Sequence, residues 1–152
     1  MKFKTTSLSV LLIATMFFGC VKNTNTPNNG STLDDVPTGH YTGTFQLVHL
    51  NIRTNKTDTA TAAAFLLLNA DGTFTLDGDT TKILAQGNGT YQANTNGTGS
   101  INFQDQTITK KTNLNGPKKH LNGLFLFTHN ASNLRIYGAS DTLYYNYVLI
   151  QN

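Results

Sequence analysis

Residues 62–76 read AAAFLLLNADGTFTL, and this stretch decides the fold. Taken alone, the apolar run Ala62–Leu68 is compatible with a short helix. The four residues Asn69–Gly72 that follow it have the composition of a hairpin turn, and Thr73–Leu76 then alternates Thr with apolar residues. An apolar run, a tight turn and an alternating segment predict two antiparallel strands. We therefore interpret Ala60–Leu68 and Thr73–Leu76 as a β-hairpin.

The same rhythm of short apolar runs and turn residues extends from His40 to the end of the chain. It predicts about eight antiparallel strands and no helix, in an all-β fold that forms either an up-and-down barrel or a small β-sandwich. In the first strand the apolar positions change phase after Leu47, which predicts a bulge or bend. The predicted strands are His40–Ile52, Ala60–Leu68, Thr73–Leu76, Gly87–Ala93, a segment around Ile101 and Phe103, Leu121–His129, Leu134–Ala139 and Leu143–Gln151.

The composition favours strands and turns. All 8 acidic residues are Asp, so the chain contains no Glu, while Thr, Asn, Gly, Tyr and Phe are abundant. The single cysteine cannot form a disulfide within the chain. Stability must therefore come from the apolar core of the domain.

The N-terminus has the pattern of a secretory signal peptide. Lys2 and Lys4 precede the apolar run Leu8–Phe18, and a small residue, Gly19, ends it. Roughly eleven residues rise about 16 Å as a helix, whereas a bilayer core of about 30 Å needs about 20 residues, so this run is too short for a transmembrane anchor. Without residues 1–19, the 11 basic residues become 9 against 8 acidic ones, and the net charge falls from +3 to +1. Such a chain lacks the basic surface that nucleic-acid binding requires.

The residues Phe17-Phe18-Gly19-Cys20 resemble the lipobox of bacterial lipoproteins. Gly19 and Cys20 match that motif, Phe17 takes the place of its Leu, and Phe18 departs from its usual small residue. The resemblance implies that Cys20 receives a diacylglyceryl thioether, that further acylation with a fatty acid such as palmitate follows, and that Cys20 becomes the first mature residue. Two or more acyl chains give a stable anchor where a single chain does not. We expect lipid anchoring in the bacterial cell envelope, at the outer membrane of a Gram-negative bacterium.

The sequence therefore predicts three parts. Residues 1–19 are a signal peptide, residues 20–39 are the lipidated cysteine with a polar, flexible linker, and residues 40–152 are the β domain. The linker segment Val21–Gly39 contains Pro27, Pro37 and repeated Asn, and it is too polar to bury a core.

The β domain resembles the lipocalins, which are eight-stranded ligand-binding barrels. Gly43-Thr44-Phe45 is similar to their opening G-x-W motif, with Phe45 in the place of Trp, and Phe65–Phe74 followed by Gly89-Thr90-Tyr91 is similar to the hairpin rhythm of small bacterial lipocalin-like lipoproteins. In that family a late-strand Arg covers the Trp ring, and Arg135 is the candidate for it here.

No motif in the chain predicts catalysis. Ser100, Ser132 and Ser140 lie in no G-x-S-x-G context. The four histidines, His40, His49, His120 and His129, lack the spacing of metal ligands. We expect a protein that is not an enzyme and that holds no metal or cofactor.

We therefore carry two functional hypotheses. The first is that the barrel holds a small apolar or amphipathic molecule in its interior, because eight strands enclose just enough space for side chains or for one small ligand. The second is an envelope interaction protein with a filled core, which docks a protein or a glycan through its loops or its aromatic last strand. Membrane lipid, through the acyl anchor, is the other expected partner, and nucleic acid is not. Five rings are the predicted ligand-lining residues: Phe45, Tyr91, Phe103, Tyr145 and Tyr147.

Overall fold

A computed structural model of the chain describes residues 36–95, 99–108 and 118–152. The predicted signal peptide, the predicted lipidation site at Cys20 and residues 20–35 of the predicted linker lie outside the described residues. The described part contains eight strands and no helix, as the sequence predicts. The strands are β1 (Gly39–Asn51), β2 (Lys56–Leu68), β3 (Thr73–Gly78), β4 (Gly87–Asn94), β5 (Ser100–Asp105), β6 (Gly123–Asn130), β7 (Asn133–Ser140) and β8 (Leu143–Gln151).

The eight strands form one closed antiparallel barrel in which each strand pairs with its neighbours in sequence. Closure comes from the pairing of β1 with β8, which runs from Tyr41↔Gln151 to His49↔Leu143. The predicted up-and-down barrel is therefore confirmed, its architecture is consistent with a lipocalin-like barrel, and the alternative of a small sandwich is wrong. Among the described residues no helix is long and apolar enough to cross a membrane.

The predicted bulge in β1 is wrong. The strand pairs residue by residue with β2 from Gly39↔Leu68 to Asn51↔Lys56, and no residue is inserted. Because side chains alternate between the two faces of a strand, Val48 and Leu50 point outward instead of joining the core. The change in the apolar pattern after Leu47 therefore means that the apolar residues Val48 and Leu50 lie on the outer surface of the barrel.

Side chains fill the middle of the barrel. Phe45 of β1 and Tyr147 of β8 are both essentially unexposed, and their rings stack with centroids 4.5 Å apart. Next to them β1 and β8 approach so closely that a Cβ atom at Gly43 would lie 2.0 Å from the carbonyl oxygen of Val148, and glycine is therefore required there. The largest fully buried side chains are Tyr41, Tyr147, Phe45, Phe74, Phe103, Phe127, Leu66, Leu68, Leu76, Leu84, Ile101 and Leu121.

Arg135 does not cover Phe45, so that expectation from the lipocalin resemblance is wrong. Its side chain lies on the outer face of β7, where Nε donates a hydrogen bond to Oδ1 of Asn146 at 2.7 Å. Tyr147, the partner of Phe45 across the β1–β8 pair, covers that ring instead.

We call the end of the barrel where β1 begins the entry end, and it is covered by the chain just before β1. The hydroxyl of Tyr91 donates to the carbonyl of Pro37 at 3.2 Å, and Pro37 is buried. The carbonyl of Thr38 accepts hydrogen bonds from the Tyr41 hydroxyl at 3.2 Å and from Nε2 of Gln151 at 3.1 Å. Residues 36–38, the last described part of the predicted linker, therefore lie against the barrel.

The opposite end is filled by two loop leucines. Leu84, between β3 and β4, and Leu121, just before β6, are fully buried. A parallel bridge joins Leu84 to Lys119 and ties the two loops together. The complete ring of strand pairs thus lies within the described residues between 36 and 152.

Candidate functional site

The barrel wall has a gap between β6 and β7 at the end opposite the entry end. Pairing of these strands runs from Asn130↔Asn133 to Leu126↔Tyr137 and stops there. Beyond that point Gly123–Phe125 pairs with β5, and Gly138–Ser140 pairs with β8. The two edges line a pocket of about 290 Å³, which we call the slot. This volume is near the lower limit of about 300–1,000 Å³ for ligand pockets, so the slot suits a small molecule.

Aromatic rings form the apolar side of the slot. Phe125 of β6 and Tyr145 of β8 meet edge to face, with ring centroids 6.3 Å apart and an angle of 86° between the ring planes. Gly138 keeps the space beside them open, because a Cβ atom there would lie 3.0 Å from Cδ1 of Phe125. The slot thus offers an apolar surface to a ligand, and a side chain at Gly138 would crowd that surface.

Polar residues form the rest of the slot. Lys119, His120, Asn122 and Ser140 line it, and none of the described lining residues is acidic. A pocket with one apolar side and one polar side fits an amphipathic molecule.

Asp105 holds His120 in place from behind the slot. The Nδ1 atom of His120 is 2.8 Å from Oδ2 of Asp105, and the Asp105 side chain is fully buried while 13% of the His120 side chain is exposed. The other carboxylate oxygen, Oδ1, accepts hydrogen bonds from the backbone N–H and the hydroxyl of Thr107. Both carboxylate oxygens are therefore engaged, which satisfies the requirement that a buried charge be paired.

Close packing at Gly87 and backbone hydrogen bonds at Lys119 hold the segments next to the Asp105–His120 pair in place. A Cβ atom at Gly87 would lie 2.5 Å from Oδ2 of Asp105, so the carboxylate fits only against a glycine. The backbone N–H of Lys119 donates to the carbonyl of Ile83 at 2.6 Å, and its own carbonyl accepts from Ala85 at 3.0 Å. His120 therefore lies on a backbone that is held to the β3–β4 loop.

The arrangement leaves Nε2 of His120 available to a ligand. A carboxylate on Nδ1 fixes the ring orientation and the tautomer, as it does for functional histidines in general. Among the described residues Nε2 has no hydrogen-bond partner, and Ser140, which lines the same slot, is not hydrogen-bonded to the imidazole. The described geometry therefore presents an oriented imidazole and does not contain an assembled Ser–His–Asp triad.

Burial affects the ionisation of the two tyrosines nearest the slot. Desolvation raises the pKa of Tyr145 above its ordinary value. It raises the pKa of Tyr147 far above the ordinary value, with the nearby Tyr145 and Asp105 adding to the effect. Both phenols are therefore harder to ionise than an exposed tyrosine.

The structure brings the five predicted ligand-lining rings into one connected cluster, of which one member reaches the slot. Phe45, Phe103 and Tyr147 are sealed in the core. Tyr91 belongs to the entry end, where its hydroxyl also donates to the carbonyl of Asn69 at 2.9 Å. Tyr145 is half-buried and lines the slot.

Sequence reasoning missed Asp105, His120 and Gly138 as parts of a site. One signal was present in the alternation of β5. Ile101 and Phe103 point into the barrel, and the same period of two places Asp105 inside as well. A carboxylate at an inward-facing strand position requires a buried partner. Here the partner is His120, which belongs to a loop about fifteen residues later in the chain.

A second candidate surface lies on the outer face of β6, β7, β8 and β1. Large apolar side chains are exposed there, including Leu124 at 72%, Ile150 at 56% and Val148 at 45%. A polar ladder crosses this face, because Nδ2 of Asn146 donates to Oε1 of Gln46 at 2.8 Å and Asn146 also accepts from Arg135. The surface is thus partly apolar and partly hydrogen-bonding, as protein-docking surfaces are.

The described histidines do not form a metal centre. No group of three or more His, Cys, Asp or Glu side chains that could hold a metal ion occurs in residues 36–95, 99–108 and 118–152. His129 lies at the entry end, where Nε2 is 3.3 Å from the Tyr41 hydroxyl, and His120 lies at the opposite end.

The fold and the slot define a small antiparallel β-barrel with a pocket in its wall. Comparison with known proteins gives no relative: no family model, no curated protein and no solved structure matches the chain.

Proposed function

We propose that this protein is a lipid-anchored lipoprotein of the bacterial cell envelope whose barrel binds a small amphipathic molecule in the slot. The observation that carries the binding role is the pocket of about 290 Å³ in which two aromatic rings face an oriented imidazole. The stability of a barrel with a filled core does not require an opening between two strands. The pairing of β6 with β7 nevertheless stops beside the buried Asp105 carboxylate, and the pocket at that point supports a ligand site.

The position of the slot defines how the ligand binds. The middle of the barrel is occupied by stacked rings such as Phe45 and Tyr147, so the ligand enters from the side of the wall and not along the barrel axis. Its apolar part lies on Phe125 and Tyr145, and its polar part lies towards Lys119 and His120. The entry end, where the chain from the anchor reaches the barrel, is the end away from the slot.

Calorimetric titration of the chain Val21–Asn152 with 1-octanol tests the binding role, since this chain contains the whole barrel and lacks the lipidated cysteine. We expect saturable binding of one molecule with a negative heat-capacity change, the mark of apolar burial. No saturable heat at any temperature would exclude the slot as an amphiphile site.

The anchor is tested independently of the ligand. Cys20→Ser removes the thiol that the diacylglyceryl group requires, so we expect the variant to leave the membrane fraction of its bacterial host. Mass spectrometry of the wild-type N-terminus should show an acylated Cys20. An unmodified N-terminus, or a Cys20→Ser variant that stays with the membrane, would refute the anchor.

A specific observation also favours the second hypothesis, a protein that docks a partner on its outside. Tyr144, Val148 and Ile150 of β8 are each more than two-fifths exposed and lie in one row on the outer face. Replacing Val148 and Ile150 with Lys should abolish such docking and leave 1-octanol binding unchanged. Retention of partner binding by that double variant would exclude this face.

A further inference from the structure

His120 presents a hydrogen-bond acceptor to the slot. Its Nδ1 atom lies 2.8 Å from Oδ2 of the buried Asp105 side chain, and an ionised carboxylate only accepts hydrogen bonds. Nδ1 therefore carries the proton of the neutral ring, and Nε2 holds a lone pair. Nε2 has no hydrogen-bond partner among the described residues, and His120 lines the slot. The slot thus contains an acceptor that a ligand can satisfy.

Asn122 supplies donors in the same slot. Its Oδ1 atom accepts a hydrogen bond from the backbone N–H of Asp105 at 3.0 Å, and this contact fixes which end of the amide is the oxygen. The two N–H groups of Nδ2 are then left for other partners. A hydroxyl group both donates and accepts, so it matches a slot that offers both roles.

We propose that the slot takes a short-chain amphiphile with a neutral hydroxyl head group, which donates its hydrogen bond to Nε2 of His120. This inference rests on the proposed ligand-binding role of the slot. A carboxylate head group fits less well, because it has no donor and would face the lone pair on Nε2. An ammonium head group can donate, but none of the described lining residues is acidic, so its charge would lack a partner in the slot.

Asp105 positions the imidazole for this role. Its Oδ1 atom is held by Thr107, so the carboxylate itself is fixed. Turning the His120 ring over would move Nδ1 away from Oδ2 and leave a buried charge without its donor, which is costly. Nε2 therefore keeps its place, and a ligand without a donor leaves it unpaired. A site built around a ligand hydroxyl disfavours the analogue that lacks it for this reason.

The size of the slot limits the apolar part of the ligand. At about 30 Å³ for a water-sized group, a pocket of about 290 Å³ holds roughly ten such groups. A chain of about eight carbons with one small head group therefore fills it. 1-Octanol and methyl heptyl ether are suitable probes, because they are isomers of the same size and only the alcohol has an O–H donor. Octylammonium is the third probe, a donor that carries a charge.

The experiment compares the dissociation constants of the three probes on Val21–Asn152 by calorimetry. It is run at about pH 8.5, above the ordinary histidine pKa of about 6.5, so that it addresses the neutral imidazole. We expect 1-octanol to bind about tenfold more tightly than the ether, the factor expected when an acceptor loses its partner. We also expect it to bind more tightly than octylammonium.

The outcomes separate this inference from the slot itself. An ether or an ammonium that binds as tightly as the alcohol overturns the hydroxyl inference and leaves the slot as a ligand site. Failure of all three probes to bind overturns the slot and this inference with it.

The His120→Asn variant isolates the role of Nε2. The Asn amide can replace Nδ1 as the donor to Asp105, so the buried carboxylate stays paired, but the shorter side chain places no atom at the position of Nε2. We expect this variant to bind the ether as the wild type does and to lose the preference for 1-octanol. His40→Asn is the matched control, because it makes the same change at an exposed position outside the slot. A preference for the alcohol that survives in His120→Asn overturns the proposal.

The nitrogen-15 spectrum of the His120 ring gives a readout on the wild-type protein that needs no variant. We expect the signal of an unprotonated Nε2 at about pH 8.5, and we expect 1-octanol to shift it and the ether to leave it nearly unchanged. A protonated Nε2 in the free protein at that pH, or a signal that saturating 1-octanol does not shift, overturns the proposal.

Discussion

Nδ1 of His120 and Oδ2 of Asp105 are 2.8 Å apart, and Asp105 is the one buried charged side chain among the described residues. The two residues come from different elements, since Asp105 ends β5 and His120 belongs to the loop before β6. A buried carboxylate with engaged oxygens fixes that loop against the barrel. The pair therefore links the stability of the fold to the shape of the slot, and two variants, Asp105→Ala and Gly87→Ala, test this link.

Asp105→Ala removes the hydrogen-bond acceptor that Thr107 and His120 share. The Thr107 backbone N–H and the His120 imidazole lose their partner, and a buried group left without a hydrogen bond costs about 1–3 kcal/mol. We expect the free energy of unfolding in urea to fall by about that amount. Asp58→Ala, at an exposed position of β2, is the control and should change it by less than about 0.5 kcal/mol. Equal stability of the two variants would mean that the His120–Asp105 pair is not part of the folded state in solution.

Gly87→Ala tests how closely the carboxylate is packed. The added methyl would lie 2.5 Å from Oδ2 and 2.9 Å from Cγ of Asp105, so the carboxylate or the strand must shift. Overpacking of this kind costs about 1–3 kcal/mol, and we expect that loss in denaturant unfolding. Asn88→Ala, on the next and exposed residue of β4, should not have this effect. A wild-type stability for Gly87→Ala would contradict the close packing.

Gly138→Ala should narrow the slot without unfolding the barrel. Its Cβ atom would be 3.0 Å from Cδ1 of Phe125, so the added methyl occupies space beside that ring and the ring must shift slightly. We expect the affinity for 1-octanol to fall about tenfold, corresponding to about 1.4 kcal/mol of lost binding free energy, while the unfolding midpoint changes little. Calorimetry of wild type and variant measures this difference. An unchanged dissociation constant would place the ligand elsewhere.

The alkaline stability of the protein should depend on Tyr147. Burial raises the pKa of this phenol, so the folded state keeps its proton at a pH where the unfolded chain, with a tyrosine pKa of about 10, releases it. Above about pH 10 the unfolded state binds fewer protons, and the free energy of unfolding falls by about 1.4 kcal/mol per pH unit for one such group.

Tyr147→Phe removes that contribution because phenylalanine cannot ionise. Denaturant unfolding between about pH 9 and about pH 11 should therefore give a shallower decline for the variant than for the wild type. The buried stack on Phe45 is retained in the variant, so its stability at neutral pH is the internal control. Identical alkaline slopes would show that Tyr147 is not the buried phenol described.

Much of the fold could be predicted from local patterns. The turn Asn69–Gly72 and the alternation after it identify the β2–β3 hairpin, and Leu143–Gln151 is a strand with the bounds that the sequence predicts. These features depend on neighbours in sequence, where turn residues and the period of two act directly. The closure of the sheet into a barrel was one of two predicted outcomes, because it depends on the distant pairing of β1 with β8.

The slot could not be predicted in the same way. It results from the point at which β6–β7 pairing stops, and Phe125 and Gly138 give no local sign of that limit. Arg135 was expected at the core because of the lipocalin resemblance, but the alternation along β7 places it outside, beside Asn146. Contacts between Asp105 and a residue of a distant loop likewise depend on the tertiary arrangement and not on spacing in the sequence.

The central claim is that the slot between β6 and β7 binds a small amphipathic molecule, and titration of isotope-labelled Val21–Asn152 with 1-octanol, followed by amide chemical shifts, tests it most directly. The account predicts saturable shifts confined to residues around the slot, above all Phe125, Gly138 and Tyr145. Saturable shifts on the outer face of β8 at Tyr144, Val148 and Ile150, with none around the slot, would contradict it.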